Sequence, residues 1–157
     1  LSYLAAQSIK YIPIGDKIEL NLGPDPSVIF ELIKLRSWRD NIWMKLNGAD
    51  LYKQVGQPGV VIDVNSSVAG WDDHEIFTQR IRNYASKPIE VEVRRQFPGH
   101  VIFRSQLDPT LHDYQTVQFT APVAAGKKSD LLFEIVRHQA HNAKQNNITL
   151  EKAEIAR

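Results

Sequence analysis

Alternation is the feature that most constrains this chain. Apolar residues recur at every second position in short runs, and no long stretch keeps the period of a helix. In "KIELNL" (17–22), Ile18, Leu20 and Leu22 share one face, and in "PIEVEVRRQF" (88–97) Ile89, Val91 and Val93 do the same. Strands are also expected at "VVIDV" (60–64), "EIFTQRIRNY" (75–84), "VIFRS" (101–105), "QTVQFTAPV" (115–123) and "DLLFEIVRHQ" (130–139). The segments between them, "GPDPS", "LNGADLYKQVGQPG", "NSSVAGWDDH", "PGH", "QLDPTLHDY" and "AAGKKS", read as turns and loops. Gly, Pro, Asn and Asp either interrupt a ladder or accept turn geometry. About eight short strands with turns at such spacing predict an all-β fold, an immunoglobulin-like or fibronectin-like β-sandwich.

One run is unusually long. "VIFELIKLRSWRDNIWMKL" (28–46) slips its apolar phase near Leu32–Ile33, as a bulge or bend would make it do. "RDN" (39–41) is equally a candidate tight turn that would divide it into two strands. A helix over 28–38 is the alternative, but Val, Ile, Phe and Trp favour a strand. The sandwich is expected over 14–139, with 1–13 as the end of an upstream segment. Residues 140–157 read as a polar tail, holding a short strand at Ile148–Leu150 or a final helix.

Composition narrows the function classes. The 157 residues carry 19 basic and 18 acidic side chains, interspersed, for a net charge of +1. Proteins that live on phosphate contacts gather a basic excess on one face, so nucleic acid is not the expected partner. With no Cys, thiol catalysis and Cys-ligated zinc or iron–sulfur sites are excluded. The single Met is Met44, which suggests a piece of a longer protein. No apolar run approaches the length of a membrane-spanning helix.

"RIRNYASKPIEVEVRR" (80–95) admits two structural readings. As a hairpin it would set Arg82 against Glu90 and Arg80 against Glu92. As a crossing from one sheet to the other, those pairs would not meet, and Asn83 and Pro88 would shape the corner.

That stretch, with the Pro-Gly turn after it, "YQTVQFTAPVAAGKKSDLLFEIV" and "YIPIGDKIELNLG", resembles a family of unknown function. It is the C-terminal β-sandwich domain of the bacterial mucoidy-inhibitor-A-like proteins. The shared patterns are a "P.G....L.LG" strand, an "..I.N....PI.V.V" pair and a final "F...V.AG....L.F.I" pair, spanning about residues 11–137. The resemblance implies a sandwich appended to a larger exported or cell-envelope protein, with no catalytic residues to carry over and no cofactor. The expected partner is an upstream domain or another protein. An edge strand from 28–46 would also allow a homo-oligomer.

Several residues are chemically suggestive. "WDDHE" (71–75) gathers Asp72, Asp73, His74 and Glu75, and an oxygen-rich loop of this kind can hold calcium, although neighbours on a strand point to opposite faces. The plainer reading is a solvated loop anchored by Trp71. "HQAH" (138–141) spaces two histidines with no acidic ligand beside them. "LDPTLHDY" (107–114) offers Asp108, His112 and Asp113 near Ser105, for a hydrolase site completed by an upstream region, without a nucleophile-elbow motif. Trp38, Trp43 and Trp71 are candidate stacking platforms for sugars or a partner, against the ordinary expectation that at least two lie in the core or under a loop.

Overall fold

The structure, a computed structural model, describes residues 7–13, 20–21, 27–46, 51–60, 62 and 65–156. The described residues are all-β, with no helix among them, and two packed sheets share one core. In chain order the strands are β1 (Gln7–Pro13), β2 (Leu20–Asn21), β3 (Val28–Leu46), β4 (Tyr52–Gln54), β5 (Ser66–Asn83) and β6 (Ile89–Gln96). They continue as β7 (His100–Ser105), β8 (Thr110–Asp113), β9 (Thr116–Val123), β10 (Lys128–Ala140) and β11 (Ile148–Lys152). The smaller sheet runs β2-β1-β6-β9-β8 and the larger runs β11-β7-β10-β5-β3-β4. Every pairing is antiparallel except β11 on β7.

The alternation did its work where a strand has one buried face. Val91 and Val93 of β6, Val117 and Phe119 of β9, Val101 and Phe103 of β7, and Phe133 and Ile135 of β10 all point into the core. Five phenylalanines join the two sheets. Phe103 lies 5.0 Å from Phe133 and 5.9 Å from Phe119, with Phe97 at 6.1 Å, and Phe77 sits 5.6 Å from Phe133. Phe103 and Phe133 are fully buried, which stabilises the fold by about 1.5–3 kcal/mol for each side chain.

Among the described residues eleven strands stand where about eight were expected. β4 and β8 come from segments read as loops, lying within 46–59 and 106–114, and "NSSVAGWDDH", also read as a loop, is strand from Ser66 onward as the start of β5. The cause is shared: a backbone ladder needs a paired neighbour, not an alternating sequence, and tertiary pairing overrides weak local propensity. Gly70 shows why a glycine can sit mid-strand, since a Cβ there would fall 2.4 Å from Asn142 Oδ1 and 2.7 Å from Asn142 N. Of "VVIDV", Val60 and Ile62 are described and are not strand, and the rest lies outside the described residues. "KIELNL" is described only at Leu20 and Asn21, and "GPDPS" only at Ser27.

The expected ends of the sandwich also carry strands. β1 pairs with β6 along its length, and Ile148 of β11 is buried in the core.

β3 is a single strand, neither helix nor two strands. Its register on β5 shifts between Lys34 and Arg36, just beyond the expected slip, leaving Leu35 unpaired and exposed. A second irregularity follows Asp40, where Asn41 takes φ +46°. The "RDN" turn is thus a bulge. The first bulge decides what the strand presents. Before it, Phe30 and Leu32 pack on the core; after it, the even positions turn to the outer face, taking Trp38 and Asp40 with them.

The stretch 80–95 crosses between sheets, β5 belonging to the larger and β6 to the smaller. The hairpin pairs accordingly do not form. Arg80 pairs with Asp130 at 2.8 Å and Arg82 with Glu31 at 3.2 Å. Asn83, fully buried, makes the corner: its Nδ2 donates to Lys87 O at 2.8 Å and to Val123 O at 3.3 Å, and its Oδ1 accepts from Ala85 N at 3.0 Å.

Candidate functional site

Beyond Arg36 and Glu75, β3 and β5 carry polar and aromatic side chains on the sheet's outer face. Register sets Trp38 opposite His74 and Asp40 opposite Asp72, and His138 of β10 lies opposite Asp72 on its other side. These residues share a face because positions two apart on a strand point the same way.

His74 is clamped between two carboxylates. Its Nδ1 is 2.9 Å from Glu134 Oε2 and its Nε2 is 2.7 Å from Asp40 Oδ1. Trp38 stacks on the imidazole, with ring centroids 4.7 Å apart and planes within 10°. Glu134 is buried and held from its other side by Arg104 Nη1, at 3.1 and 3.3 Å.

Asp72 is buried but amply solvated by protein. Its Oδ1 accepts from His138 Nδ1 at 2.7 Å and Asn142 Nδ2 at 3.0 Å, and its Oδ2 accepts from Asn41 Nδ2 at 3.1 Å. Burial pushes its pKa up, but these hydrogen bonds outweigh it and hold the carboxyl below its ordinary value. The groups Asp40, Asp72 and His74 place one ligand atom each within 4.8 Å of one another. His100 packs 4.3 Å from His138 with the rings tilted by 51°, and accepts a hydrogen bond at Nδ1 from Lys144 N at 3.1 Å. Burial first, and the neighbouring His138 second, lower its pKa.

Of the residues singled out in "WDDHE", the structure brings Asp72 and His74 together and sends Asp73 to the opposite face. There Asp73 accepts from Arg39 Nε at 2.9 Å and from Trp71 Nε1 at 3.1 Å. Asp40 takes its place beside the other two. Nothing local marks Asp40, whose position follows from the bulge at Leu35.

The tryptophans are all half-buried, and none belongs to the core cluster. Trp38 has His74 on its ring and the Arg36 guanidinium at 4.5 Å; Trp71 has Arg39 at 4.8 Å. Trp43 donates from Nε1 to Asn41 Oδ1 at 3.3 Å and lines an open hollow of about 410 Å³ with Tyr52, His141 and Asn142. His141 stacks on Tyr52, so the two histidines of "HQAH" serve different partners.

The residues of "LDPTLHDY" do not converge. Asp108 is exposed and faces Lys152 at 3.5 Å, Asp113 accepts from Gln115 N at 2.9 Å, and buried Ser105 accepts from Leu107 N at 3.2 Å. A larger cleft, of about 840 Å³, opens where the long strands outrun the smaller sheet. Its charged lining is already paired in part, Arg39 with Asp73 and Arg137 with Glu75 at 3.6 Å.

The second feature is an edge. Among the described residues, β3 has β5 on one side and on the other only β4, which reaches no further than Trp43–Lys45. Along Val28–Ile33 no strand among the described residues covers the far side. Phe30 and Leu32 pack on the core yet are only partly buried, and Ile29 is exposed.

No family model, curated protein or solved structure matches this chain.

Proposed function

We propose that this chain is a non-catalytic, immunoglobulin-like module of a larger bacterial envelope protein, and that it binds an extended polypeptide segment by strand addition to β3. The observation that carries the reading is the edge at Val28–Ile33, uncovered among the described residues, where Phe30 and Leu32 are only partly buried against the core. An added strand would take up the edge's backbone groups, and its side chains would cover Phe30 and Leu32; the backbone supplies affinity and the side chains specificity. The occupant is a segment of the upstream region or of a protein partner. The bulge at Leu35, with charged Arg36 after it, limits the register to the first third of the strand and discourages indiscriminate pairing. The sheet-to-sheet crossing at Asn83 and the likeness to the mucoidy-inhibitor-A-like domains support the immunoglobulin-like assignment and the envelope setting.

Amide exchange tests this directly. The alternate amides of 28–33 that face away from β5 should exchange quickly in the dilute isolated chain and be protected within the longer protein. Equal exchange in both settings would remove the edge as a contact. Protection that instead grows with the isolated chain's concentration would make the occupant a second copy.

A second reading, a glycan-binding module, is favoured by the hollow that sets Trp43 and Tyr52 beside Asn41, Asn142 and Lys144. Indole and phenol rings flanked by amides can stack on a sugar ring and bond its hydroxyls. Titration with cell-wall oligosaccharides should then shift emission in the wild type but not in Trp43→Phe; no shift in either would end that reading.

A further inference from the structure

The geometry points to a divalent transition-metal site, with zinc the ion it suits best, ligated by His74 Nε2 and one carboxylate oxygen each from Asp40 and Asp72. Three observations carry it. First, the ligand atoms lie within 4.8 Å of one another and come from adjacent paired strands, so a rigid sheet, not a loop, fixes their spacing.

Second, the clamp on His74 has an electrostatic requirement. Ionised carboxylates only accept, yet both ring nitrogens face one. With the Nδ1 proton given to Glu134, the Nε2 lone pair is left for an ion; because Nε2 and Asp40 Oδ1 stand 2.7 Å apart, an ion would bind by replacing that contact, with exposed Asp40 turning aside to admit it. Glu134, buried and fixed by Arg104, is placed as the outer carboxylate that orients a metal-binding imidazole and raises its basicity.

Third, Asp72 has capacity left. An ionised carboxylate offers about four acceptor positions. His138 and Asn142 occupy Oδ1, and Asn41 occupies one position on Oδ2, leaving the other open.

One nitrogen and two oxygens, with a solvent-facing fourth position beside exposed Asp40, match zinc's four-coordinate preference. Calcium, which wants six to eight oxygens, would find too few. Binding replaces the His74–Asp40 hydrogen bond: the Nε2 lone pair and one oxygen of each carboxylate form the bonds to the ion.

The test is calorimetric titration of zinc chloride into chelator-treated chain, in which one zinc per chain should bind. Cobalt should quench the tryptophan stacked on His74, and the quenching should be lost in Trp38→Phe. Asp40→Asn changes an exposed side chain and should fold normally while weakening zinc by at least about tenfold. Asp73→Asn, on the opposite face, should leave affinity unchanged. No binding at millimolar zinc, or equal affinity in wild type and Asp40→Asn, would overturn the site.

Discussion

β3 and β5 run side by side through two different environments. At one end, Phe30, Leu32, Phe77 and Ile81 face the smaller sheet, Phe77 and Ile81 buried and Phe30 and Leu32 partly so; at the other, Trp38, Asp40, Asp72 and His74 stand on the outer face beside β10. The first end is held by area removed from water, which is non-directional and tolerant. The second is held by short, oriented hydrogen bonds between charged groups, which fail when a single partner is lost. One pair of strands thus carries both the stability of the fold and a surface capable of chemistry.

Substitutions in the two halves should separate these roles. The largest effect is expected in the core. Phe133→Ala removes a ring in contact with Phe77, Phe103 and Phe119 and should cost about 3–5 kcal/mol in denaturant melts. A loss below about 1 kcal/mol would mean that the core collapses to fill the space and that the aromatic cluster is not the centre of the fold.

Asn83→Ala should come next. It strands the carbonyls of Lys87 and Val123 and the amide of Ala85 at a buried corner, costing about 1–3 kcal/mol for the groups left unsatisfied. Asn83→Asp separates corner chemistry from packing, since its oxygens can accept from Ala85 but cannot donate to either carbonyl. If Asp restores most of the lost stability, the donor bonds are not what makes the corner.

Gly70→Ala probes the polar half. The new Cβ would press on the Asn142 backbone and on the amide that orients Asp72, for an overpacking cost of about 1–3 kcal/mol. The disturbance should be confined to that end, visible as changed Trp38 or Trp43 emission with the core's near-ultraviolet signal intact. A change spread over the core would show that the two halves are not separable.

The same division explains what could be read before any coordinates. Where one face is buried, as in β6 and β9, alternation alone located the strand, because burial and period-two geometry are one constraint. The corner at Asn83 was legible only as one of two options: local chemistry allows it, but whether β5 meets β6 depends on β3 and β10, which are distant in sequence. The polar cluster was half legible. Asp72 and His74 sit two apart in one strand, and alternation already set Asp73 aside. Asp40 was out of reach, since it arrives through a bulge at Leu35 and a pairing across 32 residues of chain. β4 and β8 were hard to see for a simpler reason: short edge strands borrow their order from a neighbour's backbone and need no pattern of their own, and β11 was legible at Ile148–Leu150 only as one of two options.

The smallest effect expected is a pH dependence centred on His100. Burial and the adjacent His138 lower its pKa from the ordinary 6.5, Asp72 opposing them weakly, and its Nδ1 already accepts the Lys144 amide and would lose that bond on protonation. The unfolded chain therefore takes up a proton at His100 near pH 6.5 while the folded chain does not. Between that pH and the lower folded pKa the unfolded state binds more protons, so stability rises with pH across the window and this contribution is complete above it. Acidification should consequently weaken the wild type more than His100→Asn, whose side-chain oxygen can accept from Lys144 without titrating. Denaturant melts at intervals from pH 7.5 down to 5 would show the two curves converging towards acid if His100 is the cause. Parallel curves would shift the acid sensitivity onto the other histidines of the outer face, and would mean that the polar half responds to protons as one network and not through this ring.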